Sequence, residues 1–264
     1  MTWFRRRVDT RAILLASMAL TACRETAQPA AVDPGMAACI PGDTVALGAA
    51  DLEQLRASPF LGAAGGAERG LVEGYPGVSK LLVAWNGSDV LIVLRGLFKT
   101  PPAGAAMIAP GLAAAGSSKS VASASAQYRS GQTGARNLID YGSAIGARSA
   151  VWLAVRGGTP LPLSGNLANL NRLLEDADYA GATLDLGQAA TLRLAARGHT
   201  ADAAERMEEH LRGFLSLAGE AEIRRPELAS LLGNARIQRS GRDVTAELSA
   251  PPDVVARLLG DFIR

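Results

Sequence analysis

Two apolar runs flank Asn86-Gly87 and give the strongest local signal along the chain. Residues 79–85 and 89–94 are nearly continuous in Leu, Val and Ile, and Asn-Gly is the pair favoured at two-residue hairpin turns. Strands with such uninterrupted apolar content are typical of the middle of a sheet. The pattern therefore predicts a central hairpin that helices cover on at least one face.

Hydrophobic periodicity predicts further elements along the rest of the chain. Residues 179–186 and 189–197 form a second predicted hairpin, and 235–239 with 243–249 form a third that turns at Ser240-Gly241. Asp51, Ser164 and Thr200 stand at predicted helix N-caps. Single strands are predicted at 44–49, 106–109 and 150–155, and helices at 51–56, 118–129, 137–145, after Ser164, at 201–218, at 226–232 and from Pro251-Pro252 onward.

The order of these elements indicates an α+β fold with antiparallel sheets and helices packed on one face. Both parts of the chain contain a hairpin, two helices and a further strand, which favours an internal duplication of a hairpin–helix–helix–strand unit. Similarity between the parts is slight, mainly Leu94-Arg95-Gly96 beside Ala196-Arg197-Gly198. The predicted halves are residues 43–177 and 178–264.

The N-terminus has the three parts of a secretion signal. Basic residues precede a short apolar stretch at 12–20, and Leu20-Thr21-Ala22-Cys23 closes it. This segment resembles the lipobox of bacterial lipoproteins, which implies that residues 1–22 are a signal peptide and that the Cys23 thiol is lipidated. An ordinary cleaved signal and a short buried helix are the alternatives. A twin-arginine signal fits less well because Asp9 stands where a hydrophobic residue is expected.

The lipobox resemblance also implies a location. A diacylglyceryl group with two or three acyl chains anchors a protein stably, whereas one chain does so only marginally. Arg24 stands where an aspartate would favour retention in the inner membrane. We therefore expect a protein of the cell envelope, anchored in the outer membrane and facing the periplasm, with residues 23–42 as a flexible tether rich in Ala and Pro.

A second resemblance begins where the tether is predicted to end. The patterns Pro41-x-Asp43-Thr44 and Asp51-Leu52-x-x-Leu55-Arg56-x-Ser58-Pro59 are similar to the opening of several uncharacterised bacterial envelope proteins. In those proteins a duplicated α+β unit follows a signal or anchor. The resemblance covers some twenty residues and implies a fold, with no activity attached to it.

Composition and charge exclude several classes of protein. A hydrophobic content of 48% excludes a wholly disordered chain, and no apolar run is long enough to span a bilayer. Residues 1–22 carry four arginines and one aspartate, so removing them changes the net charge from +2 to −1 and argues against nucleic acid as a partner. Cys39 is then the remaining thiol, either buried or available to pair between molecules.

Catalytic and cofactor motifs are not apparent in the sequence. His199 and His210 are eleven residues apart on a predicted helix, about 16 Å along its axis, so they cannot share one metal ion. Gly142-Ser143-Ala144-Ile145-Gly146 lacks the G-x-S-x-G spacing of a nucleophile elbow, and the glycine-rich loop at 62–70 lacks the P-loop lysine. We expect no catalytic residue, no metal and no cofactor.

One polar stretch stands out as a candidate binding face. Asn166, Asn169 and Arg172 recur every three residues, opposite the leucines of the helix after Ser164. They could bind a polar ligand or a partner backbone, or they could form an ordinary solvated surface. Trp85 and Trp152 lie in predicted strands, where they pack in the core unless Trp152 lines a groove.

Together these observations favour a non-catalytic binding or adaptor module, held at a membrane by its lipid anchor and interacting with an envelope protein. Two alternatives stay open. A sheet with helices over it could hold a hydrophobic ligand in an apolar cavity of several hundred Å³. An envelope enzyme with an unrecognised site would instead show titratable groups with shifted pKa values in a deep pocket.

Overall fold

The structure is a computed structural model that describes residues 32–59, 61, 70, 73–162, 170–221, 232–251 and 254. In these parts of the chain, ten strands form one sheet and six helices pack around it. The strands are β1 (Ala46–Asp51), β2 (Val78–Trp85), β3 (Val90–Gly96), β4 (Ala105–Ala109), β5 (Leu112–Gly116), β6 (Val151–Arg156), β7 (Ala177–Leu186), β8 (Ala190–Gly198), β9 (Arg236–Ser240) and β10 (Asp243–Ala250). The helices are α1 (Pro34–Ala37), α2 (Leu52–Ala57), α3 (Ser118–Ser130), α4 (Arg136–Gly146), α5 (Leu170–Glu175) and α6 (Ala201–Ala221).

The sheet is antiparallel throughout and runs in the order β4-β5-β3-β2-β1-β6-β7-β8-β10-β9. Outward from the central β1–β6 pair, each side has its first, second, third, fifth and fourth strand in turn. This repeated order is what an internal duplication predicts, and the duplication itself stays a prediction. The five strands β6 to β10 form the second set, which begins at Val151, whereas the predicted boundary between the halves is residue 178. Strand β6 belongs to this set because it pairs with β7 in the way that β1 pairs with β2.

The predicted α+β class is confirmed, but helices cover both faces of the sheet instead of one. On the front face, α1, α3 and α4 pack over a core that contains Leu47, Val93 and Trp152. The residues that alternate with these along each strand face the back of the sheet. There, α2 packs near Leu94 and α6 packs over Val244 and Ala246. The expectation of one covered face was wrong because periodicity shows which side of each element is apolar, without showing the side of the sheet on which a helix lies.

The three predicted hairpins are confirmed as β2–β3, β7–β8 and β9–β10. The first turn lies one residue later than predicted, because Trp85 pairs with Val90 and the two central residues are therefore Gly87 and Ser88. Asn86 Oδ1 accepts a hydrogen bond from the backbone N–H of Asp89 at 2.8 Å, and Gly87 has a φ of 100°. The strand β5 was missed because its sequence, Leu-Ala-Ala-Ala-Gly, has little of the β-branched and aromatic content that predicts a strand.

The predicted tether at 23–42 requires a correction, because its second half is folded. Asp33 caps α1 through hydrogen bonds from the backbone N–H groups of Gly35 and Met36, at 2.9 and 3.1 Å. Cys39 and Ile40 are fully buried in the front core. The Ala- and Pro-rich composition concealed a short helix whose Asp-Pro start is itself a helix signal. Pairing of Cys39 between native molecules is therefore not supported.

No helix within the described ranges is long and apolar enough to cross a membrane. The signal peptide at 1–22, the glycine-rich stretch at 62–69, the start of the helix after Ser164, the predicted helix at 226–231 and most of the predicted C-terminal helix lie outside the described residues.

Candidate functional site

Helix α4 lies very close to the front face because small residues separate it from the sheet. Gly142 and Gly146 face the ring of Trp152, and a Cβ atom at either glycine would overlap the indole. Gly181 of β7 has a similar role, since a Cβ atom there would overlap Ile145 of α4. Trp152 is only 3% exposed and is a core residue. This close seating fixes the position of α4 relative to β7 and β8.

A groove lies between α4 and the front face of β7, β8 and β10. We call it the front groove and define it by Asn137, Tyr141 and Ile145 on the helix and by Tyr179, Ala195 and Arg197 on the sheet. Its main part has a volume of about 500 Å³. A second part of about 340 Å³ continues past Asn137 and Tyr179 towards the first turn of α4. Two other cavities among the described residues are smaller, about 50 and 170 Å³.

The strand register places a row of four side chains along the sheet side of the groove. Arg156 of β6 is paired with Tyr179 of β7, Tyr179 with Arg197 of β8, and Arg197 with Asp243 of β10. Adjacent strands are about 4.8 Å apart, so these side chains are close neighbours on one face. Tyr179 consequently lies between two arginines.

Two tyrosines form the aromatic part of the groove. Tyr141 of α4 stacks on Tyr179 with ring centroids 5.4 Å apart, and its hydroxyl donates a hydrogen bond to the carbonyl oxygen of Ala195 at 3.1 Å. Burial raises the pKa of Tyr141 well above its usual range, and the negative charge of Asp243 adds to this effect. The Tyr141 hydroxyl therefore stays protonated and acts as a fixed hydrogen-bond donor.

Charges divide the groove into two chemically different ends. At the larger end, Arg197 Nε lies 2.8 Å from Asp243 Oδ1, and the hydrogen bond to Asp243 raises the pKa of Arg197. Asp140 also lines this end. The smaller end is lined by Arg136 and Arg156, without a carboxylate among its described lining residues.

The sequence-predicted site residues lie elsewhere or outside the described chain. Cys23, Asn166 and Asn169 are outside the described residues. Arg172 is exposed on α5, which packs on the back face, so the structure does not bring it to the front groove. Neighbouring Asn171 is structural, because its amide exchanges two hydrogen bonds with the backbone of Leu161, at 2.9 and 3.0 Å.

The histidines also have local roles in the structure. His199 Nδ1 lies 2.6 Å from Asp178 Oδ1, and Asp178 Oδ2 is 3.5 Å from Arg242 Nη1. His210 is exposed on α6. Within the described ranges, no group of three or more His, Cys, Asp or Glu side chains is arranged to hold a metal ion.

Sequence reasoning missed the groove because its residues come from five separate elements, α4, β6, β7, β8 and β10. Arg156 and Arg197 stand at strand ends, where charged residues are common, and Tyr141 reads as an ordinary helix residue. One available signal was the small number of tyrosines, since two of the chain's four meet in the groove. Only the pairing of β6, β7, β8 and β10 brings these residues together.

The fold and the groove define an α+β protein with one antiparallel sheet between two helical layers. Solved structures share this fold. Crystal form I of TP0453 aligns over 87% of this chain and 98% of its own chain, with a TM-score of 0.50 and 12% identity. Crystal form III aligns over the same shares with a TM-score of 0.52, also at 12% identity. At this identity the likeness shows the fold alone. No protein-family model and no curated protein matches the sequence.

Proposed function

We propose that this chain is a lipid-anchored, non-catalytic binding module of the bacterial envelope that engages its ligand or partner through the front groove. The observation that carries the proposal is the groove itself, which combines a stacked tyrosine pair and charged side chains in a volume of about 500 Å³. Binding sites typically combine an apolar lining with a few placed polar groups.

The anchor is the second part of the proposal. Lipidation at Cys23 leaves residues 24–31 before the buried Val32, so at most roughly 30 Å of extended chain separates the lipid from the folded body. A body held this close to the bilayer meets components of the outer membrane and the adjacent periplasm. The proposed location is the periplasmic side of the outer membrane.

The chemistry of the groove supports binding over catalysis and over transport of a purely apolar molecule. Tyr141 stays protonated and bonded to Ala195, and Arg197 is held in an ion pair, so neither group is prepared to accept a proton. Charged side chains at both ends favour a ligand or partner that has polar groups of its own, because burying an unpaired charge is costly.

The anchor is tested by replacing Cys23 with serine. We expect the Cys23→Ser chain to be released from membranes by an alkaline wash that leaves the wild-type chain in the pellet. Cys39→Ala is the matched control, because it removes the other cysteine and leaves the lipobox intact. Retention of the Cys23→Ser chain with lipid after the wash would show that Cys23 is not the anchor.

The binding role is tested by site-specific photocrosslinking in cells. A photoreactive residue that replaces Asn137, which is exposed in the groove, is expected to give a discrete adduct. The same photoreactive residue in place of Arg129, which is exposed on α3 outside the groove, should give none. An envelope protein in the adduct would define an adaptor, and a small molecule would define a ligand carrier. Equal labelling from both positions, or none from Asn137, contradicts a binding role for the groove.

A further inference from the structure

The smaller end of the front groove concentrates positive charge. Arg136 and Arg156 both line this cavity of about 340 Å³. Neither guanidinium forms an ion pair with any carboxylate in the described chain, and both residues are exposed to solvent. Arg156 uses Nη2 to donate to the carbonyl oxygen of Thr44 at 3.2 Å, which fixes the group and leaves further N–H donors available.

Tyr179 lies beside these cations and connects the two ends of the groove. It lines both cavities, is paired across the sheet with Arg156, and stacks on Tyr141. The stacked pair presents an apolar surface at the point where the positive end meets the larger cavity. An apolar or aromatic group bound there would keep contact with both rings.

The acidic residues set the orientation of a ligand. Asp140 and Asp243 line only the larger cavity, and Asp243 already neutralises Arg197. A negatively charged group is therefore repelled from the larger end and attracted to the smaller one. Guanidinium groups bind carboxylate and phosphate oxygens through paired hydrogen bonds, which gives this attraction a defined geometry.

We propose that the front groove binds an organic anion, with its carboxylate or phosphate at Arg136 and Arg156 and its apolar or aromatic body along Tyr179 and Tyr141. The inference rests on the proposed function, because it assigns a ligand class to the same groove. The volumes of the two parts, about 500 and 340 Å³, fall in the range of small-molecule sites. The anionic group can belong to a free small molecule or to a lipid headgroup.

The test uses the full lipidated chain in a non-ionic detergent and measures binding of phenyl phosphate by calorimetric titration. We expect saturable binding that Arg136→Gln and Arg156→Gln each weaken about tenfold or more, because each removes a charge-assisted hydrogen bond. Tyr179→Leu should weaken it by removing the aromatic surface. The matched control is Arg129→Gln on α3, an exposed arginine outside the groove, which should leave the affinity unchanged.

Two simpler compounds separate the contributions of charge and ring. Benzyl alcohol has the ring without the charge and inorganic phosphate has the charge without the ring, so both should bind at least tenfold more weakly than phenyl phosphate. Binding of benzyl alcohol or inorganic phosphate as tight as that of phenyl phosphate overturns the proposal. An equal loss of affinity in Arg129→Gln, or no saturable binding at millimolar concentrations, overturns it as well.

Competition distinguishes the two sources of the anion. Displacement of phenyl phosphate by glycerol 3-phosphate indicates a free phosphate ester, and displacement only by dihexanoylphosphatidylglycerol indicates a lipid headgroup. Thermal melting of each variant shows that it is folded, and Arg136→Gln keeps the test valid if loss of the Arg156 contact to Thr44 unfolds the chain. If phenyl phosphate does not bind while Asn137 still crosslinks a partner, only this inference fails. If phenyl phosphate binds but the alkaline wash releases the wild-type chain from membranes, the proposed function fails instead.

Discussion

Single residues determine how closely α4 approaches the sheet. Gly142 and Gly146 of α4 face the indole of Trp152, and each lacks the Cβ atom that would collide with the ring. Glycine is a poor helix former, so its presence twice in one helix has a destabilising effect that close packing must offset. The front groove depends on this packing because α4 forms one of its walls.

This packing predicts opposite effects for the same substitution at different sites. Gly142→Ala and Gly146→Ala should each lower the free energy of unfolding by about 1–3 kcal/mol, because the added methyl overpacks the core. Gly213→Ala, at an exposed position of α6 with open space around it, should raise it by about 0.5–1 kcal/mol. Urea unfolding measures both changes. A gain in stability at Gly146 would contradict the packing described here.

The fold lowers the reactivity of the Cys39 thiol. Burial, followed by the negative charge of Asp33, raises the pKa of its thiol to about 11, and Sγ donates to the carbonyl oxygen of Gly35 at 3.4 Å. We expect the native Cys23→Ser chain, whose one thiol is Cys39, to react with a thiol reagent at pH 8 at least tenfold more slowly than the same chain unfolded in guanidinium chloride. In the folded chain little of the thiol is ionised and the reagent cannot reach it. Equally fast labelling in the two states would contradict this burial.

At the scale of elements, an ion pair links α6 to Asp176, the residue immediately before β7. Arg206 of α6 binds Asp176 through its guanidinium, and this hydrogen bond lowers the pKa of the Asp176 carboxyl. The lowered pKa in the folded state means that the pair stabilises the protein above the unfolded value of 3.8 and that this contribution is lost as the pH falls through the folded value.

The ion pair therefore predicts a stability difference that depends on pH. Arg206→Gln should melt at a lower temperature than wild type at pH 7, and the difference should shrink as the pH falls below 3.8 and then through the lowered pKa of Asp176 in the folded wild-type protein. Arg129→Gln serves as the control, because Arg129 forms no ion pair in the described structure. A difference in melting temperature that does not shrink at any acidic pH at which both proteins remain folded would show that Arg206 stabilises α6 by some other contact.

At the scale of the whole molecule, the two repeated strand sets form one continuous sheet. β1 and β6 pair along five residues of each strand, from Ala46 with Val155 to Ala50 with Val151. Trp152 and Ala154 belong to the same front core as Leu47, Leu82 and Leu138, so no boundary separates the hydrophobic cores at this junction. The two sets share their central hydrogen bonds and part of their core.

A shared core predicts cooperative unfolding of both sets. Circular dichroism in the far ultraviolet reports on the whole fold, whereas the fluorescence of Trp85 and Trp152 reports on the centre of the sheet. Urea titrations followed by the two methods should nevertheless give one coincident transition. Two transitions with separate midpoints would instead show that the sets unfold independently, as expected of two domains.

Local signals account for the features that the sequence predicts correctly. The turn from Asn86 to Asp89 forms because Asn86 Oδ1 accepts a hydrogen bond from the N–H of Asp89 and Gly87 adopts a positive φ, both within four residues. Asp51 and Thr200 cap helices by accepting hydrogen bonds from N–H groups three residues ahead. The lipobox resemblance at Cys23 is likewise a local pattern, and it stays a prediction. Weak local signals led to errors, as in the alanine-rich β5 and the short α1 within the predicted tether.

The sequence by itself thus determined the hairpins, the main helices and the α+β class, because each follows from contacts or periodicity within a short stretch. Only the tertiary structure decided which face each helix covers and where the groove lies. Tyr141, Arg156, Tyr179 and Arg197 become neighbours through strand pairing and helix seating across more than fifty residues. Such pairing depends on the register of distant strands, which hydrophobic periodicity leaves undetermined.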